Sequence, residues 1–123
     1  MADISKSLDA AMAITGAIGA SVVDLDSGMS LGHVGGGASL NLEIAAAGNT
    51  EVVRSKMRTM QDLALNDEIE DILITLSKQY HIIRPLKGKG GAGLFFYLAL
   101  DRERANLALA RHKLADIEKT LVV

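Results

Sequence analysis

The amino-acid sequence predicts an α+β fold in which helices flank a five-stranded antiparallel sheet. Short runs rich in aliphatic and β-branched residues are interspersed with three segments whose apolar residues recur every three or four positions. The links between successive strand-like runs are short, whereas parallel strands need a long crossover. The expected order is helix, strand, strand, helix, strand, strand, strand, helix, which is an α+β arrangement.

The N-terminal part of the chain predicts a short helix and then a hairpin. The apolar residues of this helix recur at helical spacing and are Ile4, Leu8, Ala11 and Met12. Asp3 or Ser5 is available as the N-cap, and the helix is expected to end near Gly16. Residues 17–34 predict the hairpin, with a turn at residues 26–28 because glycine accepts a positive φ.

A long amphipathic helix is expected from about residue 40 to 63, with Ser39 as its N-cap. One stripe of this helix, at spacings of three and four, consists of Leu42, Ala46, Asn49, Val53, Met57, Met60 and Ala64. Gly48 and Asn49 are poor helix formers, so a kink, or two shorter helices with a new cap at residue 49 or 50, is left open. Residues 66–67 are expected to end the helix.

The second half of the chain predicts three strands and a closing helix. The strands are expected at residues 69–76, 80–86 and 93–100. Residues 77–79 form a short connection, and residues 87–92 (KGKGGA) form a glycine-rich one. The helix is expected at residues 102–121. Its apolar stripe consists of Leu107, Ala110, Leu114, Ile117 and Leu121.

Composition favours a cytoplasmic protein that folds as a single domain over residues 1–123. Hydrophobic residues make up 49% of the chain and aromatic residues only 3%, so the core is expected to be aliphatic. The net charge of −2 gives no reason to expect nucleic acid as a partner. Cysteine is absent, which excludes disulfides and cysteine nucleophiles. The N-terminus does not have the pattern of a signal peptide, and no apolar run is long enough to span a membrane.

The polar residues do not form a recognisable catalytic, cofactor or metal motif. The glycine-rich connection at residues 87–93 lacks the order of a phosphate-binding loop and links two strands, so a hairpin loop is favoured. His33, His81 and His112 fall on different predicted elements, whereas a metal site needs several converging ligands. The acidic run at residues 67–71 is interpreted as solvated turn residues. The sequence therefore predicts a protein that is not an enzyme and that needs no cofactor.

Two features of the middle of the chain indicate a homodimer. Ala45, Gly48 and Val52 lie on a second small or apolar face of the long helix, and the strand at residues 69–76 has the character of an exposed edge. The residues expected at the dimer interface are Ala45, Gly48, Val52, Met57, Ile69, Asp71 and Leu73. The basic residues at positions 54, 56 and 58 are either a solvated face or an ion-pairing surface for the acidic run of a second subunit.

Three stretches resemble the roadblock/dynein light-chain family, which includes the bacterial partner of the small gliding GTPase. They are GASVVDLDSG at residues 19–28, IIRPL at residues 82–86 and LALDRERANLALAR at residues 98–111. Within the last stretch, Asn106-Leu107 looks like the family's transition from strand to helix. The resemblance extends from about residue 14 to residue 121, and its motifs are structural rather than catalytic.

The resemblance implies a longin/profilin-like sheet and a homodimer in which long middle helices and third strands meet, giving one continuous sheet across two subunits. It also implies a scaffold or regulator that presents a platform to a Ras-like small GTPase or another protein partner. Residues 48–50 and the loop at 87–93 depart from the family pattern. The alternative hypothesis is a ligand-sensing module, because profilin-like sheets can hold small molecules.

Overall fold

The computed structural model describes residues 2–87 and 93–122. The predicted order of elements is confirmed. The helices and strands are α1 (Ile4–Met12), β1 (Ala17–Asp24), β2 (Ser30–Gly35), α2 (Leu42–Asp62), β3 (Ile72–Thr75), β4 (Gln79–Pro85), β5 (Leu94–Asp101) and α3 (Leu107–Thr120). Most of the glycine-rich connection that was predicted to be a hairpin loop, residues 88–92, lies outside the described residues.

All five strands pair antiparallel in one sheet, in the order β2-β1-β5-β4-β3. The last strand of the chain therefore lies at the centre, between β1 and β4, and β2 and β3 form the two edges. Residues 94–100 of β5 are all buried. Such a continuous apolar run, without alternation, is typical of a strand that is covered on both faces.

Each face of the sheet carries its own apolar core. On one face, α1 and α3 pack over the alternate residues of β5 that include Phe96 and Leu98, together with Ile82 of β4. On the opposite face, α2 packs through Ala46 and Val53 over the other set of β5 residues. The two layers explain why a chain with few aromatic residues places both of its phenylalanines and one of its two tyrosines in the central strand.

The long middle helix is continuous from Leu42 to Asp62, so the alternative of two shorter helices with a new cap at residue 49 or 50 is wrong. The N-cap prediction of Ser39 is wrong, because Asn41 caps the helix. Its side-chain oxygen accepts hydrogen bonds from the backbone N–H groups of Glu43 at 3.0 Å and Ile44 at 3.1 Å. At α1, Asp3 is the N-cap and accepts from the N–H of Lys6 at 2.8 Å.

Two predicted boundaries differ from the structure. The strand expected at residues 69–76 covers only Ile72–Thr75. The register pairs Ile72 with Ile83, so its continuation would place Glu70 opposite Pro85, which has no N–H to donate. The last helix begins at Leu107 rather than at residue 102, because β5 continues to Asp101 and a turn follows it. Asn106 then caps α3 by accepting from the N–H of Leu109 at 3.0 Å.

Replacement of Gly35 by alanine is expected to destabilise the fold more than replacement of Gly28. Both glycines have a φ of 74°, a region that costs an L-residue about 1 kcal/mol or more. A Cβ at Gly35 would lie 2.5 Å from the carbonyl oxygen of Ile18, whereas at Gly28 the nearest atom is 3.7 Å away. In urea denaturation we expect Gly35→Ala to lower the free energy of unfolding by about 3 kcal/mol and Gly28→Ala by about 1 kcal/mol. Equal losses would contradict the close packing at Gly35.

Candidate protein-binding site

A groove of about 810 Å³ runs between the outer side of α2 and the segment that leads into β3. One wall comes from α2 and consists of Glu51, Val52, Ser55, Lys56, Thr59 and Met60. The other wall consists of Glu68, Ile69, Glu70, Asp71 and Ile72. Each of the two walls contributes both apolar and charged side chains. We call this feature the α2–β3 groove.

The groove exists because α2 is longer than the core it covers. The residues of α2 that are buried end with Val53, so the last nine residues of the helix extend beyond the sheet. Val52 is 38% exposed and Met57 is 42% exposed. Met57, with Leu65 and Ile69, lines a second depression of about 300 Å³ that shares Met60, Glu68 and Ile69 with the groove. Together these form one exposed apolar surface, which is a common mark of an interaction site.

The two walls of the groove differ in charge: the α2 wall carries one acidic and one basic side chain, Glu51 and Lys56, whereas the facing wall is acidic. Lys56 projects from the α2 wall, and Glu68 and Glu70 lie on the facing wall. Arg54 is held by its own chain: its guanidinium donates hydrogen bonds to the carbonyl oxygens of Leu25 and Asp26 in the turn between β1 and β2, and its Nη1 lies 3.4 Å from Glu51 Oε1. Of the basic cluster at positions 54, 56 and 58, Arg54 is therefore bound within its own chain.

A bidentate ion pair fixes the acidic wall of the groove to α3. Arg111 Nη2 lies 2.8 Å from Asp71 Oδ1, and Arg111 Nε lies 2.9 Å from Asp71 Oδ2. Only 9% of the Asp71 side chain is exposed, so the expectation that the whole acidic run is solvated is wrong at this residue. The hydrogen bonds that Arg111 donates to Asp71 raise the pKa of Arg111. This planar, two-point contact holds the segment in one orientation.

A chain of hydrogen bonds lies on the side of the sheet that faces α2. Tyr97 Oη is 3.2 Å from His81 Nδ1, and His81 Nε2 is 2.8 Å from Gln79 Oε1. The two rings meet edge to face with centroids 5.4 Å apart. Burial raises the pKa of Tyr97 to about 12, and the Asn49 amide on α2 acts in the opposite direction. Burial also lowers the pKa of His81.

Similar folds occur in solved structures of bacterial proteins. Myxococcus xanthus MglB aligns with a TM-score of 0.81 and 14% identity over 94% of this chain and 82% of that chain. A Roadblock/LC7 domain from Streptomyces avermitilis aligns with a TM-score of 0.80 and 12% identity over 97% of this chain and 94% of that chain. An MglB with a tetrameric arrangement aligns with a TM-score of 0.68 and 15% identity over 94% of this chain and 88% of that chain.

The chain has the roadblock fold. No protein-family model and no curated protein sequence matches the chain. The structural likeness therefore carries the assignment of the fold, and it confirms the fold that the three sequence stretches implied. It also confirms Asn106-Leu107 as the point where the chain leaves the turn after β5 and enters α3.

Within this roadblock fold, the residues predicted for a dimer interface occupy three environments. Val52, Ile69 and Asp71 line the groove, and Met57 lies in the adjoining depression. Gly48 is exposed on α2, and a Cβ there would have nothing within 4 Å. Ala45 is half-buried against the core under α2. Leu73 pairs with Ile82, a residue of the core under α1 and α3, so it lies on the opposite face of the sheet from the groove.

The described residues of this roadblock fold contain no group of three or more histidine, aspartate or glutamate side chains that could hold a metal ion. Within residues 2–87 and 93–122, none of the helices has the length and apolarity needed to cross a membrane. The groove offers a binding partner its shape, its apolar area and its charged side chains. Sequence reasoning found the exposed helix face but missed the contacts of Arg111 and Tyr97, which join residues 40 and 16 positions apart.

Replacement of Arg111 by methionine is expected to loosen the acidic wall of the groove. Methionine matches the stem of arginine as far as Nε but lacks the guanidinium, so both hydrogen bonds to the mostly buried Asp71 are lost. We expect a loss of about 1 to 2 kcal/mol in the free energy of unfolding. Hydrogen–deuterium exchange should also become faster at residues 66–72. Lys113→Met, on the exposed side of the same helix, is the matched control. Unchanged exchange in Arg111→Met would show that the ion pair does not hold the segment.

Proposed function

We propose that this protein acts as a homodimeric scaffold or regulator that binds a Ras-like small GTPase or another protein partner, without catalytic chemistry of its own. The observation that supports the proposal is the α2–β3 groove. It is long, open and lined by apolar side chains with charged side chains around them, which suits a protein surface. The regulatory role and the GTPase come from the family resemblance.

A second copy of this chain is the occupant that fits the groove best. In a twofold dimer the same patch serves both subunits, so it has to be complementary to itself. The groove meets this condition, because Lys56 on one wall can face Glu68 and Glu70 on the other wall of the partner. Apolar Val52 and Met60 would meet the partner's apolar side chains between these charges.

The edge strand β3 supports the same arrangement. It is only four residues long and pairs on one side with β4, so its other side presents unpaired backbone groups. Antiparallel pairing of two β3 strands would extend the sheet across two subunits. The expected interface is therefore built from Gly48, Val52, Met57, Ile69 and Ile72. Asp71 contributes indirectly, because its ion pair with Arg111 holds the segment before β3 against α3.

The structural neighbours are consistent with self-association. One of them is an MglB with a tetrameric arrangement. We propose that a dimer formed through the α2–β3 groove leaves other surfaces free for a partner. The outer side of α3 is one such surface, because it carries exposed charged side chains and the exposed Leu109 on the opposite face of the sheet from the groove.

Replacement of Val52 by glutamate is expected to weaken self-association. The change places a charge, which has to be desolvated on association, among the apolar side chains of the groove and next to Glu51. We expect the dissociation constant of the dimer, measured by sedimentation velocity, to rise at least about tenfold, which corresponds to about 1.4 kcal/mol. Leu109 is an exposed apolar residue on α3, and Leu109→Glu should leave the dissociation constant unchanged. A strictly monomeric wild-type protein at micromolar concentration would refute the dimer.

A Ras-like GTPase should bind the wild-type protein with a preference for one nucleotide state. The test measures binding of each Ras-like GTPase of the same genome, loaded with GDP or with a non-hydrolysable GTP analogue. We expect at least about a tenfold difference between the two states for the true partner, or about 1.4 kcal/mol. Val52→Glu should weaken this binding if the dimer is the platform. No binding in either state would leave the scaffold role to a partner of another class.

A further inference from the structure

The strand β2 forms the edge of the sheet that lies opposite the proposed dimer contact. It pairs with β1 alone, and within residues 2–87 and 93–122 no strand lies on its other side. Edge strands are often protected from further pairing by lysine, proline or inward-pointing charges. The β2 sequence, SLGHVG, contains none of these. A β-bulge adds Leu31 to the strand, so the regular part of the edge is Gly32–Gly35.

The hydrogen bonds to β1 show which backbone groups of this edge face outwards. The N–H of Gly36 donates to the carbonyl oxygen of Ile18 at 2.9 Å, and the register places Gly35 opposite Gly19. Hydrogen-bonded and non-hydrogen-bonded pairs alternate along an antiparallel ladder. Gly35 and His33 therefore belong to non-hydrogen-bonded pairs, and their N–H and C=O groups point away from β1. An added strand would pair with these groups.

A groove of about 530 Å³ lies between α1 and the β2 edge. Its apolar lining comes from Ile4 and Leu8 of α1, from Leu31 and from Val122. Gly32 also lines it, and a Cβ at this glycine would lie 3.1 Å from Ile4 Cγ2 and 3.2 Å from Leu8 Cδ1. The glycine thus leaves open the space beside α1 that a side chain would fill. We call this feature the α1–β2 groove.

An extended chain matches both parts of this site. A strand added beside β2 would lie about 4.8 Å from it, and its alternate side chains would point to the face of the sheet that carries α1. Its backbone would pair with His33 and Gly35, and one apolar side chain would enter the α1–β2 groove. A helix could fill the groove but would leave the outward backbone groups of β2 unpaired.

The charge of the lining favours a basic peptide over a second copy of this chain. The lining contains the carboxylate of Asp3, and its other ionisable side chain is that of His33. In a twofold contact between two β2 edges the same patch would serve both subunits, so two such carboxylates would be brought together without a lysine or arginine of the lining between them. A lysine or arginine next to the apolar residue of a peptide would instead complement Asp3.

We propose that the α1–β2 groove binds an extended peptide segment of a partner protein, which adds a strand beside β2, places an apolar side chain against α1 and places a lysine or arginine near Asp3. The inference goes beyond the proposed homodimer and does not depend on it, because β2 and β3 are opposite edges of the sheet. A dimer formed through β3 would leave one such site on each subunit.

The probe for this site is a phage-displayed library of random peptides of about eight residues, which is long enough for one strand. The library is selected on the full-length protein at pH 7.5, and enriched peptides are resynthesised for calorimetry. We expect alternating apolar residues next to a lysine or arginine, and dissociation constants below about 100 μM. Hydrogen–deuterium exchange of the wild-type protein with saturating peptide should become slower at residues 33 and 35 and stay unchanged at residues 73–75.

His33→Pro and His33→Ala form a matched pair of variants. Proline removes an N–H that β1 does not use and places its ring at the edge, whereas alanine keeps the N–H. We expect the dissociation constant of the peptide to rise at least about tenfold in His33→Pro and less than about twofold in His33→Ala. Asp3→Asn keeps an N-cap for α1 but removes the charge, so the affinity should fall about threefold and depend less on salt. Thermal unfolding checks that each variant is folded.

Three results would overturn the proposal. They are the absence of enriched peptides, peptides that bind His33→Pro as tightly as wild type, and unchanged exchange at residues 33 and 35 in the complex. Self-association that is lost in His33→Pro would also overturn it, because a second copy would then occupy the edge. Val52→Glu, in the α2–β3 groove, should leave peptide binding unchanged. A monomeric wild-type protein that binds the peptides would refute the dimer and leave this site standing.

Discussion

The burial of β5 on both of its faces is the constraint on which the rest of the structure depends. Seven consecutive residues, 94–100, leave solvent entirely, so helices have to cover both sides of the sheet. The strand also has a neighbour on each side, so its backbone polar groups can be satisfied within the sheet. This leaves the two edges, β2 and β3, as the places where the sheet can meet another molecule.

The covering of the two faces is unequal, and this inequality produces the candidate site. Two helices lie over one face. The other face has α2 alone, whose buried residues end at Val53, while Ile72 and Ile74 at the β3 edge are only partly covered. Part of the apolar surface on that face thus stays accessible beside a free edge strand. A monomer with such a surface at an unprotected edge is prone to associate, so a specific partner at this position is physically reasonable.

The fold could be predicted from the sequence because it depends on local patterns. Apolar periodicity located all eight elements, and short links indicated antiparallel pairing. The errors occurred where a non-local contact decided the outcome. Ser39 and Asn41 are both good N-caps, but Gly37 and Leu40 exchange backbone hydrogen bonds, so the helix starts after Leu40 and Asn41 is its cap. Pro85 limits β3 from a neighbouring strand, and the pairing of Asp101 with Gln79 extends β5 beyond residue 100.

The candidate site was predictable in part for the same reason. The small and apolar second face of α2 is a local pattern, and it led to Val52 and to the groove. The Asp71–Arg111 pair and the Tyr97–His81–Gln79 chain depend on how α3, β4 and β5 come together, and no spacing in the sequence marks them. One of these polar contacts holds the segment before β3 in place, and the other ties β4 to the strand beneath α2. The groove is therefore shaped by polar side chains with long-range partners, although its own lining is largely apolar. In the proposed dimer, the affinity between the two copies should accordingly respond to changes at residues that lie outside the contact itself.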